Sequence, residues 1–335
     1  MIGWDVGGAH LKAARVNAAG RVEAAIQVPC ALWRGLDELD RALKVVIAQL
    51  GSSTSHAVTM TGEMVDLFPD RNTGVIEIAR AMRQQFANDA MRFYCGRKRF
   101  VELDHVAIQA AAIASANWRA TVEIVAERIG SGVFIDVGST TTDIIGIENH
   151  LPRCKGIDDF SRLIVGELVY CGVVRTPLMA LTDRVDFCGD AVPVIAEHFA
   201  TTADVFRVLG ELPDGVDQQP TADGAEKTVP ASARRIARMI GRDGESADLE
   251  VWRDLARSFR VAQLAKIKGA LDVVGRGHSK IIGAGIGEFL IRDIAKTRGW
   301  EYQSFAALLK LSDGLAQTSA QVAPAVAVAL LALDA

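Results

Sequence analysis

One short pattern occurs twice in this chain and limits its fold more than any other feature. Residues 2–16 read IGWDVGGAHLKAARV, and residues 134–147 read FIDVGSTTTDIIGI. Each runs from an apolar stretch into Asp-Val-Gly, through small or polar residues, and into a second apolar stretch. Asp5 matches Asp136, Gly7 matches Gly138, Gly8 matches Ser139 and Lys12 matches Asp143. An apolar strand that ends in Asp-Val-Gly and turns into another strand is a hairpin whose tip exposes backbone N–H groups. Glycine lets such a tip approach an anion closely, and its converging donors hold phosphate. A single hairpin of this kind is an ordinary turn, since Asp and Gly are common turn residues. Two of them, one in each half of the chain, predict a clamp around a polyphosphate.

A third element supports this reading. Residues 280–290, KIIGAGIGEFL, read as a strand, a glycine-rich turn and a helix. Gly283, Gly285 and Gly287 are spaced to set a nucleotide or phosphate against a helix N-terminus. Taken alone, the same turn is equally a tight strand-to-helix connection. In this order the three elements resemble the phosphate-1, phosphate-2 and adenosine motifs of the actin, sugar kinase and Hsp70 superfamily. The resemblance implies an α/β, two-lobed actin-like ATPase (ribonuclease H-like) fold, with a duplicated β-hairpin phosphate clamp and an interlobe cleft. It places the first lobe at 1–128 plus a returning C-terminal helix at 317–335, and the second lobe at 129–316.

Composition agrees with a soluble enzyme. The 335 residues are too many for one small core and half are hydrophobic, so two domains are expected. A net charge of −4 gives no basic footprint for nucleic acid and no membrane-surface signal. The N-terminus enters a strand at once, unlike a signal peptide, and no stretch reaches the roughly 20 apolar residues of a membrane span. The apolar, Ala-rich run at 322–333 suits a buried helix. Five scattered cysteines with no CxxC spacing argue against a disulfide framework or a zinc site and suit a cytoplasmic location. Six histidines form no HExxH pair, so the expected metal is Mg²⁺ carried on phosphate oxygens.

Periodicity predicts strands near 2–6, 11–17, 21–28, 57–61, 91–101 and 300–303, with the repeated hairpin at 132–147. Helices are expected over 36–50, 75–85, 106–115, after Asn117, over 158–170, 248–275 and 317–334. Residues 200–245 read as polar loop.

Other blocks narrow the family. MTGEMVDLFPDRNTGV at 60–75, SANWRAT at 115–121, GELVYCGVVRTP at 166–177, TTADVFRVLGEL at 201–212, and ADG followed by SARRIARM within 221–239 are similar to the hydantoinase/oxoprolinase-related branch. More closely they resemble proteins of tetrahydromethanopterin-linked C1 transfer, a group related to the archaeal aminomethylfuran synthase of methanofuran biosynthesis. The resemblance implies a transferase that joins the phenol of γ-glutamyltyramine to an aminomethylfuran diphosphate. The products would be an aryl ether and diphosphate, supporting methanofuran or methylofuran formation. Mg²⁺ is the implied cofactor, with ATP admissible but not required. The partners are small molecules, not nucleic acid or membrane, and a homodimer is admissible.

The implied roles are specific. Gly7, Gly8, His10, Gly138, Ser139, Thr140, Thr141 and Thr142 would hold the diphosphate, and Lys12 would neutralise it. Asp5 and Asp136 would hold Mg²⁺ directly or through water. Asp143, Glu63 or Asp66 would serve as general base, because a phenol ionises only near about 10. Arg71 or Arg175 would pair with the glutamyl carboxylate, and Asp70 or Glu167 with the furan amine. Each has a plainer reading. Asp136 and Asp143 are also turn and strand-end residues, and Lys12 a solvent-facing one. Glu63, Asp66 and Asp70 are also cap or surface carboxylates, Arg175 a turn anchor, and Glu167 part of a solvated helix face. Trp4 and Trp118 read as core. His10 departs from the Thr or Ser usual at this tip, which weakens the case for ATP hydrolysis. An ATP-dependent kinase or hydantoinase/oxoprolinase-like enzyme is the alternative function, and a nucleotide-binding sensor or filament protein the third.

Overall fold

The computed structural model describes residues 1–335. The chain forms two compact units: Met1–Phe134 with Ile147–Arg153 and Gln303–Ala335, and Ile135–Gly146 with Cys154–Tyr302.

The first unit starts with an antiparallel meander, β1 (Ile2–Val6), β2 (His10–Val16) and β3 (Arg21–Pro29). There follow α1 (Leu36–Leu50), β4 (Ser55–Met60), α2 (Arg71–Gln85), β5 (Ala90–Tyr94), β6 (Phe100–Val101), α3 (Leu103–Ile113) and α4 (Asn117–Arg128). The chain continues through β7 (Ser131–Val137), β8 (Thr142–Glu148) and β9 (Leu151–Arg153). The second unit adds α5 (Asp159–Val165), β10 (Leu168–Val169), β11 (Arg184–Phe187), β12 (Asp190–Pro193), α6 (Thr202–Leu209), α7 (Val229–Arg238), α8 (Leu249–Val274), β13 (Lys280–Ala284) and α9 (Glu288–Arg298). Last come β14 (Glu301–Ser304), β15 (Lys310–Leu311), α10 (Ala316–Gln321) and α11 (Ala323–Leu333).

The first sheet has the order β15-β3-β2-β1-β4-β5-β6, with β4 parallel to β1 and β5 parallel to β4. Central β1 is buried on both faces, which is why IGWDV does not alternate. One of those faces meets α11. A Cβ on Gly3 would fall 2.0 Å from the Ala325 carbonyl oxygen and 2.8 Å from the Ala329 Cβ, so only glycine lets the helix lie that close. Ten residues of α11 are buried, as its all-apolar sequence requires. The second sheet has the order β10-β8-β7-β13-β14.

Several expectations need correction. The helix expected over 158–170 stops at Val165, because Gly166 takes the left-handed conformation (φ 77°) that closes a helix C-terminus. The stretch 200–245, expected as loop, holds α6 and α7, both with caps at their N-termini. The β11–β12 hairpin was not anticipated, and the last helix is broken at Val322.

Trp4 sets a pH dependence within the first unit. Its indole N–H donates to His56 Nδ1 at 3.0 Å, so the proton of the neutral ring sits on Nε2, facing the Ser53 carbonyl (3.0 Å) and Asp89 (3.3 Å). His56 is 1% exposed, and burial holds its pKa below the ordinary 6.5 despite Asp89. Below pH 6.5 the unfolded chain therefore binds a proton that the folded chain refuses. Stability should be constant above that pH and fall below it, by at most about 1.4 kcal/mol per pH unit from this group. Urea melts between pH 8 and pH 5 on wild type and His56→Asn check this. Equal slopes in the two proteins would remove His56 as the cause.

Candidate functional site

Each unit carries one of the two hairpins, and the tips are built alike. At the first, the Gly7 N–H donates to the His10 carbonyl at 3.0 Å. At the second, the Gly138 N–H donates to the Thr141 carbonyl at 2.8 Å. This pairs Gly7-Gly8-Ala9-His10 with Gly138-Ser139-Thr140-Thr141, so His10 stands where the second tip has Thr141. No backbone acceptor takes the N–H of Gly8, Ser139 or Thr140.

In the first unit Asp5 lies opposite Lys12 in the β1–β2 register, and Lys12 Nζ donates to Asp5 Oδ2 at 3.3 Å. Asp5 is 2% exposed, and its Oδ1 is buried without a hydrogen-bond partner. A buried carboxylate oxygen left open costs free energy until a cation or donor reaches it. The His10 side chain is buried, and its carbonyl closes the turn.

Beside this tip lies a group that local sequence does not assemble. The turn 62–64 is wedged against the hairpin: a Cβ on Gly62 would meet the Val6 carbonyl oxygen at 3.1 Å, and one on Gly8 would meet Val65 Cγ1 at 2.7 Å. Glu63, 1% exposed, accepts from Ser115 Oγ at 2.7 Å. Ser115 Oγ in turn accepts from Arg71 at 2.7 Å, and the Arg71 guanidinium stands 3.7 Å from Glu63. Ser115 holds this place at φ 49°, a conformation a non-glycine residue adopts at some cost. It lies 52 residues from Glu63, and its positive φ carries no sequence signal. Asp66 is exposed. Asp70 caps α2 by accepting from the Thr73 N–H and hydroxyl, both at 2.9 Å.

The second tip is braced from within its own unit. The Val173 N–H donates to the Gly138 carbonyl (3.0 Å), and the Val174 and Arg175 N–H groups to the Ser139 carbonyl (3.1 and 2.9 Å). Gly172 makes this possible, because a Cβ there would lie 2.4 to 2.5 Å from backbone atoms of 138–140. Arg175 thus anchors the turn through its main chain, while the residue is exposed. The Thr142 hydroxyl is taken by the Cys171 carbonyl at 2.7 Å. Asp143 pairs with buried Arg162 at 2.7 Å, so the position answering Lys12 carries the opposite charge. Glu167 is not on a solvated helix face. It is 2% exposed, and its two oxygens accept from the Lys155 and Gly156 N–H groups at 2.6 and 3.1 Å.

The glycine-rich turn lies against β7. The Gly287 N–H donates to the Val137 carbonyl at 2.9 Å. A Cβ on Gly285 would come within 2.3 Å of both Asp136 Oδ1 and the Val137 oxygen, and one on Gly283 within 2.8 Å of the Tyr302 ring. Packing therefore accounts for all three glycines. Burial pushes the thiol of Cys30 up to about 12 and that of Cys171 up to about 11, so neither is a nucleophile near neutrality. No three His, Cys, Asp or Glu side chains cluster as a metal cage, and no helix is long and apolar enough to cross a membrane.

The hydantoinase/oxoprolinase family model matches residues 54–328. The chain is 28% identical over 297 residues, 88% of either chain, to a Methanocaldococcus jannaschii protein named (4-{4-[2-(gamma-L-glutamylamino)ethyl]phenoxymethyl}furan-2-yl)methanamine synthase. It is 29% identical over 174 residues to the Methanococcus vannielii protein of that name, covering 51% of this chain and 78% of the other. Among solved structures, component A of Acidaminococcus fermentans (R)-2-hydroxyglutaryl-CoA dehydratase aligns with a TM-score of 0.50 at 12% identity, over 100% of this chain and 97% of that one. That likeness shows the fold, an α/β actin-like ATPase fold.

Proposed function

We propose that this chain, which belongs to the hydantoinase/oxoprolinase family, is a transferase of methanofuran-type cofactor biosynthesis. It condenses γ-glutamyltyramine with an aminomethylfuran diphosphate. The phenol oxygen attacks the furan methylene carbon, the carbon–oxygen bond to diphosphate breaks with its electron pair on the leaving group, and the phenolic proton passes to a carboxylate. The observation that carries this reading is the repeated tip, with its matched Gly7–His10 and Gly138–Thr141 bonds and open N–H donors at Gly8, Ser139 and Thr140. Such donors stabilise the charge that grows on a departing diphosphate. The relatives' printed name, which contains the phenoxymethyl linkage, supports the choice of reaction.

Lys12 neutralises diphosphate charge, and Glu63, held by Ser115 beside Arg71, accepts the phenolic proton. Arg71 offers its guanidinium to the glutamyl carboxylate. The residues fit Mg²⁺, since Asp5 keeps a buried open oxygen and Mg²⁺ needs only one or two carboxylates when it retains waters and phosphate oxygens. Asp5 would hold it within the first unit, and its charge would aid departure of diphosphate. Nucleotide is not required in this reading: packing on β7 explains Gly285 and Gly287, and packing on the Tyr302 ring explains Gly283.

The test is a mass-spectrometric assay of purified protein with Mg²⁺, γ-glutamyltyramine and aminomethylfuran-methanol diphosphate, with and without ATP. Ether and diphosphate formed without ATP are the expected result. An absolute ATP requirement would replace this reading with an ATP-dependent, kinase-like one.

A further inference from the structure

Helix α5 has its polarity reversed. A capping box fixes its start, with Asp158 accepting from the Ser161 N–H and Ser161 Oγ from the Asp158 N–H. Its inward residue is a cation: Arg162 is 1% exposed, donates to Asp143 and to the Glu167 carbonyl, and sits where a Cβ on Gly156 would come within 2.5 Å of its Cγ. Its outward residues are apolar: Phe160 is 74%, Leu163 46% and Ile164 68% exposed, with Ile157 at 85% just before the cap. Tyr170, 58% exposed, follows β10, which packs on α5. A surface helix ordinarily buries its apolar stripe and exposes its charges.

We propose that this face is the interface of a homodimer, with α5 set antiparallel against α5 of a second copy about a two-fold axis. Five large apolar side chains at these exposures present on the order of 500 Å². That is in the upper part of the range for the largest apolar patch on a monomer, a patch that is often functional, and more than half of the roughly 800 Å² per partner of a standard interface. The charges at its ends make the face complementary to itself. Asp158 and Asp159 stand at the N-terminal end of α5. At the other end Gly166 abuts Ala270 of α8, and exposed Lys266 lies one turn earlier on the same side of that helix. Two-fold pairing brings the acidic end of one copy to the lysine end of the other and aligns the helix dipoles antiparallel. The same short helix holds Asp143 on its inner side, so the interface backs the second hairpin.

Sedimentation equilibrium of the full chain over a wide concentration range tests this. The wild type should sediment as two chains. Phe160→Glu and Ile164→Glu should weaken association at least about 30-fold with unchanged far-UV circular dichroism, because both positions are exposed. Asp159→Lys should weaken the dimer, and adding Lys266→Glu should restore it. Val45→Glu, at an exposed position on α1, should leave it intact. A wild type that stays a single chain at every concentration would overturn the proposal. So would a dimer that survives Phe160→Glu with Ile164→Glu, or a monomer whose α5 face binds anionic vesicles instead.

Discussion

Replacing Lys12 by Met should lower kcat/KM for the proposed ether synthesis by about 100- to 1000-fold, the usual effect of removing one charge-stabilising group from a transition state. Lys12 is the only cation paired with buried Asp5, and it reaches that carboxylate from the facing strand next to the tip. Its loss has two consequences that can be separated. Diphosphate loses a neutralising charge, and Asp5 is left buried without its counter-ion, which lowers stability. The pair Asp5→Asn with Lys12→Met removes both charges, so its melting temperature should return toward wild type while activity stays low. Lys12→Arg keeps the charge and should retain more activity than Lys12→Met. Calorimetric titration with diphosphate should show weaker binding to Lys12→Met by a comparable factor. A Lys12→Met enzyme within threefold of an active wild type would remove Lys12 from the chemistry.

The hairpins could be read from sequence because everything that makes them is local. Asp-Val-Gly follows an apolar strand, and the next strand begins three or four residues on, so turn chemistry and periodicity agree. The buried C-terminal helix was legible for the same reason, since an all-apolar run of its length has nowhere else to go. What was missed depends on distance in sequence. Nothing near Glu63 announces that Ser115 will reach it from the turn between α3 and α4. Glu167 looked like a solvated helical residue, yet Gly166 ends the helix one residue earlier and turns its carboxylate onto the 155–156 backbone. Asp143 looked like a free base, yet Arg162, nineteen residues away, occupies one of its oxygens. The region 200–245 looked like loop because its polar residues point to one another across α6 and α7 rather than to water.

That last network should carry the largest stability effect in the molecule. Arg235→Ala should destabilise the fold by about 3–5 kcal/mol, the range expected when one member of a buried ion pair is removed. Arg235 is fully buried, and its Nε donates to Asp204 at 2.8 Å. Its terminal nitrogens reach Asp223 at 3.1 Å, Ser232 Oγ at 3.1 Å and the Glu226 carbonyl at 3.2 Å. Asp204 is 2% exposed and also accepts from Ser232 Oγ at 2.8 Å and from the Thr201 N–H at 3.0 Å. The cation therefore joins the TTADVFRVLGEL block to the ADG and SARRIARM blocks, the segments whose pattern is similar to the family. Without it Asp204 keeps only the longer contact to Arg207 at 3.5 Å, a cation already engaged by Asp217, and the space the guanidinium filled is left open. Asp204→Asn with Arg235→Met removes both charges at roughly constant volume and should cost less than the two single changes summed. The coupling should exceed about 1 kcal/mol in a double-mutant cycle. Guanidinium melts of the four proteins measure it. A loss under about 1 kcal/mol for Arg235→Ala would mean that water or neighbouring Arg207 relieves Asp204, and that packing among α6, α7 and α8 holds this part of the second unit without the ion pair.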